Sequence, residues 1–436
     1  MADPLRIGIA GLGTVGAGVV RLLDANAALI AARAGRPIIV TAVSSRDRAR
    51  NRGIDLSGFG WEDDMTALAA RDDVDAVVEL VGGSDGPALV LAQAAIAAGK
   101  PFVTANKAMI AHHGIALAEA AAEANCALKF EAAVAGGIPV VKGLREGTAA
   151  NAIERVYGIL NGTCNYILTT MEHTGADFAG TLAEAQAKGY AEADPTFDIE
   201  GIDAAHKLAI LSAIAFGTRI DFDSVRCTGI TKVRAEDIAQ ADRLGYVVRL
   251  VGIADLDTNG DGQKRLLQRV RPCLVPKNHP LAAVDGPTNA VVAEGDYSGR
   301  LLFQGAGAGD KPTASAVVAD LIDVARGEAG PPFSVPVSEL RTMEAADPGH
   351  RTGKVYLRFT VADRPGVLAE ITAAMRDADV SIESLIQEGR SRDGGEVLVA
   401  IVTHDGQERC VSQALELLDG SDSLTAPPLV MPIIRD

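Results

Sequence analysis

The chain has 436 residues and a formal net charge of −16, with 48% hydrophobic, 22% charged and only 4% aromatic residues. This length predicts two or three domains, with cores built mainly of Ala, Val, Leu and Ile. The acidic charge argues against nucleic acid as a partner, and the absence of any apolar run of about 18 residues argues against a membrane span.

The five cysteines are widely spaced, without a CxxC pair or a metal-type spacing with histidine. Reduced thiols in the cytoplasm are the simplest explanation. The N-terminal sequence MADPLRIGIAG has an Asp where a secretory signal needs positive charge. We therefore predict a cytoplasmic protein.

The first β-run, residues 5–10, leads directly into GLGTVG, and an Ala/Val/Leu-rich helical pattern continues to about residue 34. A strand, GxGxxG and a helix in this order are typical of a dinucleotide-binding unit. The first Gly permits the turn, the second lets the backbone approach the pyrophosphate, and the third lets helix and strand pack closely. The predicted cofactor-binding residues here are Gly11, Gly13, Thr14, Val15 and Gly16.

The second strand, residues 37–44, is followed by the sequence SRDR, at the position that usually distinguishes the two nicotinamide dinucleotides. NAD sites place an Asp or Glu there, whereas NADP sites accept or use an Arg. Arg46 can bind a 2′-phosphate through charge-assisted hydrogen bonds, which favours NADP. Asp47 leaves NAD open, and a solvated surface Arg46 is the alternative.

Two further strands, residues 76–81 and 101–104, alternate with a helix around residues 88–98. This alternation predicts an α/β fold with a parallel, doubly wound sheet, whose ligands lie beyond the carboxyl ends of the strands. Ser84 follows the first of these strands and Lys107 the second. Both are expected at the cofactor edge, with an ordinary exposed lysine as the alternative for Lys107.

The run LKFEAAVAGGIPVV, residues 128–141, contains one carboxylate, Glu131, among apolar and small residues. A buried carboxylate needs a partner. Backbone carbonyls of the adjacent Gly turn would form, with Glu131, an oxygen cage for a monovalent cation. In the alternative, backbone N–H groups satisfy the carboxylate.

The segment GYAEADPTFDIEGIDAAHKLAIL, residues 189–211, places several carboxylates before and within a helical pattern. Asp203 and Lys207 are four residues apart and share one helix face. Because the helix continues as LAILSAIAFG, this face is expected to be partly buried, where carboxylates tune an ammonium for proton transfer. A surface salt bridge is the alternative, and His206 is expected to be a surface or capping imidazole.

Residues 301–325 repeat the order of strand, Gly-rich turn and helix, with Lys311-Pro312-Thr313 at the helix start. We expect this unit to return to the first domain and cover the cofactor. After a linker rich in Pro and polar residues, strands and helices follow in the order βαββαβ, which predicts a ferredoxin-like domain. The predicted domains are residues 1–138 completed by 302–328, residues 139–301, a linker of residues 329–350, and residues 351–436.

Six motifs resemble homoserine dehydrogenases in their order and spacing: GLGTVG, TANKA, EAAVAGGIPVV, ILNGTCNYIL, GYAEADPTFDIEGIDAAHKLAIL and GAGAGDKPTASAV. The tail with DRPGVLAEIT resembles the ACT domain that this family often carries. The resemblance covers essentially the whole chain. It implies a Rossmann domain, a central α+β catalytic and dimerisation domain, and a C-terminal ferredoxin-like ACT domain.

The implied reaction is the reversible reduction of L-aspartate 4-semialdehyde to L-homoserine with NADPH or NADH, in threonine, methionine and isoleucine biosynthesis. By the family pattern Lys207 donates a proton to the aldehyde oxygen, and Lys107 assists it or contacts the nicotinamide. Asp203 and Glu192 hold the substrate, with its ammonium as the group they bind. This agrees with the chemistry, because an adjacent ammonium both stabilises and protonates a developing alkoxide.

The resemblance also explains the stretch GILNGTCNYIL, residues 158–168, which does not have the pattern of a plain core helix. Its Asn161-Gly162-Thr163 turn is implied to line the cleft where substrate and nicotinamide meet, so Cys164 need not be a nucleophile. The remaining implied contacts are Thr163, Tyr190 and Asp198 to the substrate and Gly162, Gly189 and Gly307 to the cofactor.

Glu131 matches the family's sodium or potassium site, together with the backbone carbonyls of Val134, Gly136 and Ile138. This favours the cation over the alternative stated above.

The ACT tail implies allosteric inhibition, with L-threonine as the expected effector. A purely structural tail that holds the oligomer together is the alternative. A homodimer through the central sheet is expected, or a homotetramer through paired ACT domains. The predicted effector-binding residues are Asp363, Gly366, Val367 and Leu368.

Two other functions stay open at this point. One is another NAD(P)-dependent oxidoreductase of a small amino-acid aldehyde, against which the surplus of carboxylates argues. The other is a non-catalytic amino-acid sensor, against which Lys107 and Lys207 beside an intact GLGTVG argue.

Overall fold

The structure is a computed structural model that describes residues 3–258, 263–388 and 395–435. The outer limits of the predicted domains, residues 1 and 436, lie outside the described residues. The inner domain limits stay predictions.

The N-terminal part of the chain forms a parallel six-stranded sheet. Its strands are β1 (Leu5–Ala10), β2 (Ile38–Ser44), β3 (Gly60–Glu62), β4 (Ala76–Glu79), β5 (Phe102–Thr104) and β6 (Leu128–Lys129). Their spatial order is β3-β2-β1-β4-β5-β6, and every pairing is parallel. This confirms the predicted doubly wound sheet and places the topological switch point between β1 and β4, where such folds bind ligands.

The helix predicted to run to residue 34 is in fact two helices with an 84° bend between them. Asn26 has φ −114° and ψ 20°, which ends the first helix and begins the second. Among the described residues no single helix is long and apolar enough to cross a membrane, and these two reach that length and composition only together, across the bend. The helices of this part are α1 (Thr14–Ala25), α2 (Ala27–Ala34), α3 (Pro87–Ala97) and α4 (Lys107–Glu123).

A second six-stranded sheet forms the centre of the chain. Its strands are β7 (Ile153–Ile159), β8 (Arg226–Cys227), β9 (Tyr246–Thr258), β10 (Lys264–Pro276), β11 (Thr288–Gly295) and β12 (Gly299–Ala306). They lie in the order β12-β11-β7-β9-β10-β8, antiparallel except for β8 beside β10. The helices are α5 (Val140–Lys142), α6 (Gly162–Thr174), α7 (Phe178–Ala187), α8 (Thr196–Ile199), α9 (Ile202–Phe216) and α10 (Ala235–Arg243).

Helix α9 is a core element, as its apolar sequence predicts. Thirteen of its 15 residues are buried. It packs against β7, β9 and β10 on one side and against α4 of the first domain on another. Polar groups on α9 are therefore held rigidly between the two domains.

A late helix, α11 (Asp310–Arg326), returns the chain to the first domain, as expected. Its Val317 and Leu321 lie in one core with Ile7 of β1 and Val19 of α1. A Cβ built on Gly18 of α1 would lie 1.8 Å from a carboxylate oxygen of Asp310. A side chain at position 18 would therefore displace the Asp310 carboxylate, which pairs with Arg21 of α1.

The C-terminal domain has the predicted βαββαβ order with two additional short strands. Its strands are β13 (Thr352–Gly353), β14 (Val355–Ala362), β15 (Ile382–Glu388), β16 (Glu396–Thr403), β17 (Gly406–Gln407) and β18 (Leu424–Pro432), with helices α12 (Val367–Asp377) and α13 (Glu408–Leu417). The main sheet is antiparallel in the order β15-β16-β14-β18, which confirms a ferredoxin-like domain. Strand β18 contains the pair Pro427-Pro428, which it tolerates because it lies at the edge of the sheet.

The C-terminal domain docks on the central sheet through buried ion pairs. Arg269 of β10 donates to both carboxylate oxygens of Glu408, the first residue of α13, at 2.8 and 2.9 Å. Arg351 pairs with Asp255 of β9. The Arg269 side chain is only 5% exposed, so its charge depends on this partner.

We expect Glu408→Gln to lower the thermal unfolding temperature, because it leaves the Arg269 guanidinium buried without a counter-charge. Removing one partner of a buried pair costs about 3–5 kcal/mol. Scanning calorimetry measures the shift. Glu344→Gln is the matched control, because Glu344 is 74% exposed and pairs with Arg265 at 3.1 Å, and such surface pairs contribute at most about 1 kcal/mol. Equal shifts in the two variants would contradict the prediction.

Candidate active site

A cleft of about 630 Å³ lies between the carboxyl edge of the parallel sheet and the central domain. This volume is within the usual range of small-molecule sites. Its lining brings together twelve of the residues predicted from the sequence. They are Val15, Lys107, Gly136, Gly162, Thr163, Gly189, Tyr190, Glu192, Asp198, Asp203, Lys207 and Gly307.

The turn from β1 to α1 has the geometry expected of a dinucleotide-binding loop. Gly11 has φ 98°, and a Cβ on it would lie 2.7 Å from the Leu80 carbonyl oxygen. A Cβ on Gly16 would lie 2.0 Å from the Gly11 carbonyl oxygen, whereas one on Gly13 would have no atom within 4 Å. The backbone at Gly13 is thus open to a ligand at the start of α1, where Thr14 begins the helix.

The region after β2 contains more cationic groups than the one singled out from the sequence. Arg46 is exposed and does not line the cleft. Arg52 donates from Nε to the Leu12 carbonyl of the glycine loop at 2.9 Å, and the Arg48 guanidinium lies 5.5 Å from the centre of the Trp61 ring. The sequence RDRARNR, residues 46–52, indicates this cluster, because it contains Arg48 and Arg52 as well as Arg46.

Ser84 lies in the loop after β4, outside the lining of the cleft. Asn106 donates to the carbonyl of Gly83 in the same loop at 2.7 Å. Asn106 also caps α4, because its Oδ1 accepts from the Met109 N–H at 3.1 Å. Lys107, expected beyond the carboxyl end of a strand at the cofactor edge, is the first residue of α4 and lines the cleft.

Asp203 lies at the centre of the polar cluster, in the first turn of α9. Its Oδ2 accepts from Lys207 Nζ at 2.7 Å and from Asn161 Nδ2 at 2.8 Å, and its Oδ1 lies 3.3 Å from Lys107 Nζ. Burial by itself would raise the pKa of Asp203, but the Lys207 and Lys107 ammonium groups outweigh it and lower this pKa to about 2. Asp203 is therefore a carboxylate at neutral pH.

Lys207 has a defined and buried environment. Its Nζ donates to Asp203 and to the Leu160 carbonyl, each at 2.7 Å. The same carbonyl accepts from Asn289 Nδ2 at 2.8 Å. The side chains of Lys207 and Asp203 are 10% and 8% exposed, so their i,i+4 pair is buried and is not the surface salt bridge considered as the alternative.

The expectation that residues 158–168 are not a core helix was wrong in part, because Gly162 begins the largely buried helix α6. Asn161 caps this helix, with its Oδ1 accepting from the Cys164 N–H at 2.7 Å. The glycines of the motif serve close packing: a Cβ on Gly158 would lie 2.1 Å from the Ala290 carbonyl oxygen, and one on Gly162 would lie 2.6 Å from that of Pro287. Asn and Gly are typical of turns, so the pair Asn161-Gly162 does not indicate that a helix begins there.

Cys164 is unsuited to nucleophilic chemistry in this position. It is fully buried, and burial raises the pKa of its thiol well above the ordinary value. Its Sγ lies 3.2 Å from the Asp198 carbonyl, to which it donates. This agrees with the expectation that Cys164 need not be a nucleophile.

The other predicted substrate-binding residues surround the same cleft. Asp198 accepts from Asn161 Nδ2 at 2.8 Å, and burial raises its pKa. Thr163 donates to the Tyr190 carbonyl at 2.7 Å. Glu192 is exposed at the rim.

Glu131 is buried beneath the cleft, and backbone N–H groups satisfy its carboxylate. Val141 N–H donates to Oε1 at 3.0 Å and Lys142 N–H to Oε2 at 2.8 Å. Burial, with the nearby Asp320 carboxylate, raises the pKa of Glu131 to about 7. The alternative considered from the sequence thus describes the observed contacts, and a cation at Glu131 stays a prediction.

The turn that follows Glu131 has an unusual backbone. Ala135 and Gly136 both have φ 54°, a left-handed conformation that is uncommon for Ala. A Cβ on Gly136 would lie 2.6 Å from the Gly307 backbone. Val134 and Ile138 flank this close contact between two glycine-containing loops. Among the described residues no group of three or more His, Cys, Asp or Glu is placed to hold a metal ion.

The predicted effector-binding residues lie in the C-terminal domain, and none of them lines the cleft. Asp363 and Gly366 lie in the turn between β14 and α12, and Gly366 has φ 98°. Val367 begins α12 and is buried, with Leu368 after it.

His206 was expected at the surface or as a cap, and this expectation was wrong. Its residue is 4% exposed, and its ring stacks on Phe222 with centroids 4.4 Å apart. The reason is that α9 is buried on nearly every side. His206 therefore also faces a neighbouring element, and its Nε2 lies 3.3 Å from that of His112 on α4.

Comparisons with known proteins agree with this geometry. The sequence family described as homoserine dehydrogenase matches residues 139–322, its NAD-binding domain matches residues 11–131, and the ACT domain matches residues 355–416. A homoserine dehydrogenase of Mycobacterium tuberculosis is 43% identical over 426 residues, which cover 96% of this chain and 95% of that protein. One from Neisseria gonorrhoeae is 44% identical, with 97% of both chains covered.

A solved structure of a homoserine dehydrogenase from Thiobacillus denitrificans has a TM-score of 0.91 and 42% identity. It covers 99% of this chain, which in turn covers 98% of it. The similarity therefore includes all three domains.

We expect Asn161→Asp to lower dehydrogenase activity more at high pH than at low pH. The substitution retains the cap of α6 but adds a third carboxylate beside Asp198 and Asp203, and like charges raise one another's pKa. Initial rates between about pH 6 and pH 9 measure the effect. At pH 9 the rate of Asn161→Asp should be lower than that of the wild type by about tenfold or more, and this difference should become smaller as the pH falls.

Asn161→Ser is the matched variant, because it keeps a capping oxygen without the charge. Its loss of activity should not depend on pH. Parallel pH profiles for the two variants would rule out the electrostatic explanation.

Proposed function

The chain belongs to the homoserine dehydrogenase family, NAD(P)-dependent oxidoreductases that act on a CH–OH group, and on this premise we propose how its residues carry out the reaction. The reaction is the reversible interconversion of L-aspartate 4-semialdehyde and L-homoserine. The observation that carries the proposal is the pair of acceptors around the Lys207 ammonium. Asp203 and the Leu160 carbonyl take two of its three N–H groups.

The third N–H of Lys207 is the one that serves the substrate oxygen. When a nicotinamide dinucleotide is bound, it would supply the hydride for reduction or accept it in oxidation. During reduction the negative charge that develops on the substrate oxygen is stabilised by the Lys207 ammonium, which then donates its proton. Lys107, 3.3 Å from Asp203, contributes a second positive charge at the same place. Asp203 orients both lysines and offsets their mutual repulsion.

The substrate ammonium is proposed to bind the carboxylates of Glu192, Asp198 and Asp203. Glu192 presents an exposed carboxylate at the rim of the cleft. Thr163 and Tyr190 are joined by a hydrogen bond and shape the wall between the rim and Lys207. A cleft with this excess of carboxylates suits an amino-acid aldehyde better than an uncharged one.

The residues present fit a dinucleotide, and we propose that NADP is preferred over NAD. The Asp47 Oδ1 accepts from the Ala49 and Arg50 N–H groups at 2.9 and 3.2 Å, so this carboxylate is engaged with its own turn. Arg46 and Arg48 then supply the charge that binds a 2′-phosphate. Gly11, Gly13, Thr14, Val15 and Gly16 are proposed to hold the pyrophosphate, and Ser84, Lys107, Gly162, Gly189 and Gly307 the nicotinamide half.

A sodium or potassium ion is proposed at Glu131 with the backbone carbonyls of Val134, Gly136 and Ile138. The left-handed backbone at Ala135 and Gly136 supports this, because strain of this kind occurs at ligand sites. The two N–H donors leave each carboxylate oxygen of Glu131 with further lone pairs. The ion would hold Gly136 against Gly307 in the floor of the cleft.

The ACT domain is proposed to bind L-threonine at Asp363, Gly366, Val367 and Leu368 and to inhibit the enzyme.

The chain is proposed to form a homodimer through the central sheet or a homotetramer through paired ACT domains. The central sheet supports the first, because β12 is an edge strand. A cytoplasmic location is proposed because all five cysteines are free.

We expect Lys207→Met to reduce homoserine oxidation by about 10³-fold, since it removes both the group that exchanges a proton with the substrate oxygen, accepting it in this direction, and the charge that stabilises that oxygen. Initial rates are measured with NAD⁺ and NADP⁺ in parallel, each in KCl and in choline chloride. The wild type is expected to oxidise homoserine faster with NADP⁺ than with NAD⁺. It is also expected to be faster in KCl than in choline chloride.

NADPH binding to Lys207→Met, followed by fluorescence, is the control and should match that of the wild type. Full activity of Lys207→Met would exclude the proposed proton donor. Absence of homoserine oxidation in the wild type would favour the amino-acid sensor instead.

Millimolar L-threonine is expected to lower the rate of the wild type, and Asp363→Ala should abolish this inhibition because it alters the turn where the effector binds. Asp419→Ala is the control, because Asp419 is exposed elsewhere in the same domain. Unchanged rate and unchanged substrate dependence in threonine would mean that the ACT domain has a structural role only.

A further inference from the structure

The Lys107 ammonium has two partners, and only one of them is charged. It lies 3.3 Å from Asp203 Oδ1, and it also lies 5.7 Å from the centre of the Phe197 ring. A cation at this distance from an aromatic face is attracted by the ring quadrupole. Lys107 is 31% exposed, so without these two contacts its flexible side chain would sample the solvent.

Phe197 is in an unusual position for a large apolar residue. It lies in the four-residue helix α8 and is 41% exposed, so burial in a core does not explain it. It does not line the cleft. Its ring faces Lys107 and is stacked on His206, with centroids 5.5 Å apart and planes at 27°.

His206 continues this stack into the interior. Its ring lies 4.4 Å from Phe222 with planes at 5°, and its Nε2 is 3.3 Å from Nε2 of His112. His112 belongs to α4, the helix that Lys107 begins. The imidazole therefore contacts α4 directly and, through Phe197, the end of the Lys107 side chain.

The charge state of His206 suits this position. Burial, with the nearby His112 and Lys107, lowers its pKa to about 4, so the ring is neutral at neutral pH. A neutral ring can lie between Phe197 and Phe222 without repelling Lys107 or Lys207. The Asp203 carboxylate raises the pKa of His206, but this effect is smaller than the combined lowering by burial, His112 and Lys107.

We propose that Phe197 and His206 are positioning residues of the dehydrogenase reaction, which hold the Lys107 ammonium beside Asp203 through the stack Phe197–His206–Phe222. This rests on the proposed role of Lys107 in the active site. Neither ring touches the reacting atoms, so both act through Lys107. The stack also explains why His206, next to Lys207 in the chain, does not line the cleft.

The test compares Phe197→Leu with Phe197→Tyr, in the wild type and in a Lys107→Met background. Phe197→Leu removes the ring face, and a cation–π contact of this kind predicts a fall in kcat of about five- to tenfold. The KM for the dinucleotide should change less than kcat, because Phe197 does not line the cleft and Lys107 is only one of the residues proposed at the nicotinamide half. Phe197→Tyr keeps the ring face and should retain kcat within about twofold.

In the Lys107→Met background, Phe197→Leu should have no further effect, since the group it positions is gone. His206→Phe preserves the stack and should retain more of kcat than His206→Ala. Tyr297→Leu, at a residue that is 90% exposed, is the control for removing a surface ring.

Two outcomes would overturn the inference. Phe197→Leu with unchanged kcat, or the same fall in kcat in both backgrounds, would show that Phe197 does not act through Lys107. Full activity of Lys107→Met would instead contradict the proposed role of Lys107 in the reaction. The single Lys107 variant thus distinguishes a failure of that role from a failure of the positioning role of Phe197 and His206.

Discussion

A buried carboxylate between two ammonium groups is the interaction on which the active site depends. Asp203 lies on α9 of the central domain, Lys207 follows one turn later, and Lys107 comes from the first residue of α4 in the N-terminal domain. A single buried charge would be costly, but this cluster gives each charge a partner. The same contacts that set the charges therefore also set the relative position of the two domains at the cleft.

Close backbone contacts provide the second constraint. The loops at Gly136 and Gly307 touch, and Gly158 and Gly162 let β7 and α6 pack against residues 287–291. A side chain at any of these positions would separate elements that must meet to form the cleft. The glycine-rich sequence segments are thus steric requirements of the site, and the one after β1 also has the geometry expected of a dinucleotide-binding loop.

The C-terminal domain is attached where it can influence this site. Its Glu408 pairs with Arg269 of β10, and β10 packs against α9, which carries Asp203 and Lys207. A change in docking would therefore reach α9 through β10. Packed elements of this kind carry coupling between two sites when both sites bias the same two-state element.

The sequence by itself determined the order of the elements, because hydrophobic periodicity and turn residues act locally, and its motifs carried the family resemblance that implied most of the candidate residues. It predicted the parallel sheet, the ferredoxin-like domain, and the Asp203–Lys207 pair on one buried helix face. Only the tertiary structure decided which partners these residues meet: that Asn161 binds two carboxylates, that Glu131 accepts from backbone N–H groups, and that His206 is buried in an aromatic stack. These contacts join residues far apart in the chain, and such pairings depend on how helices and sheets pack, which no local pattern records.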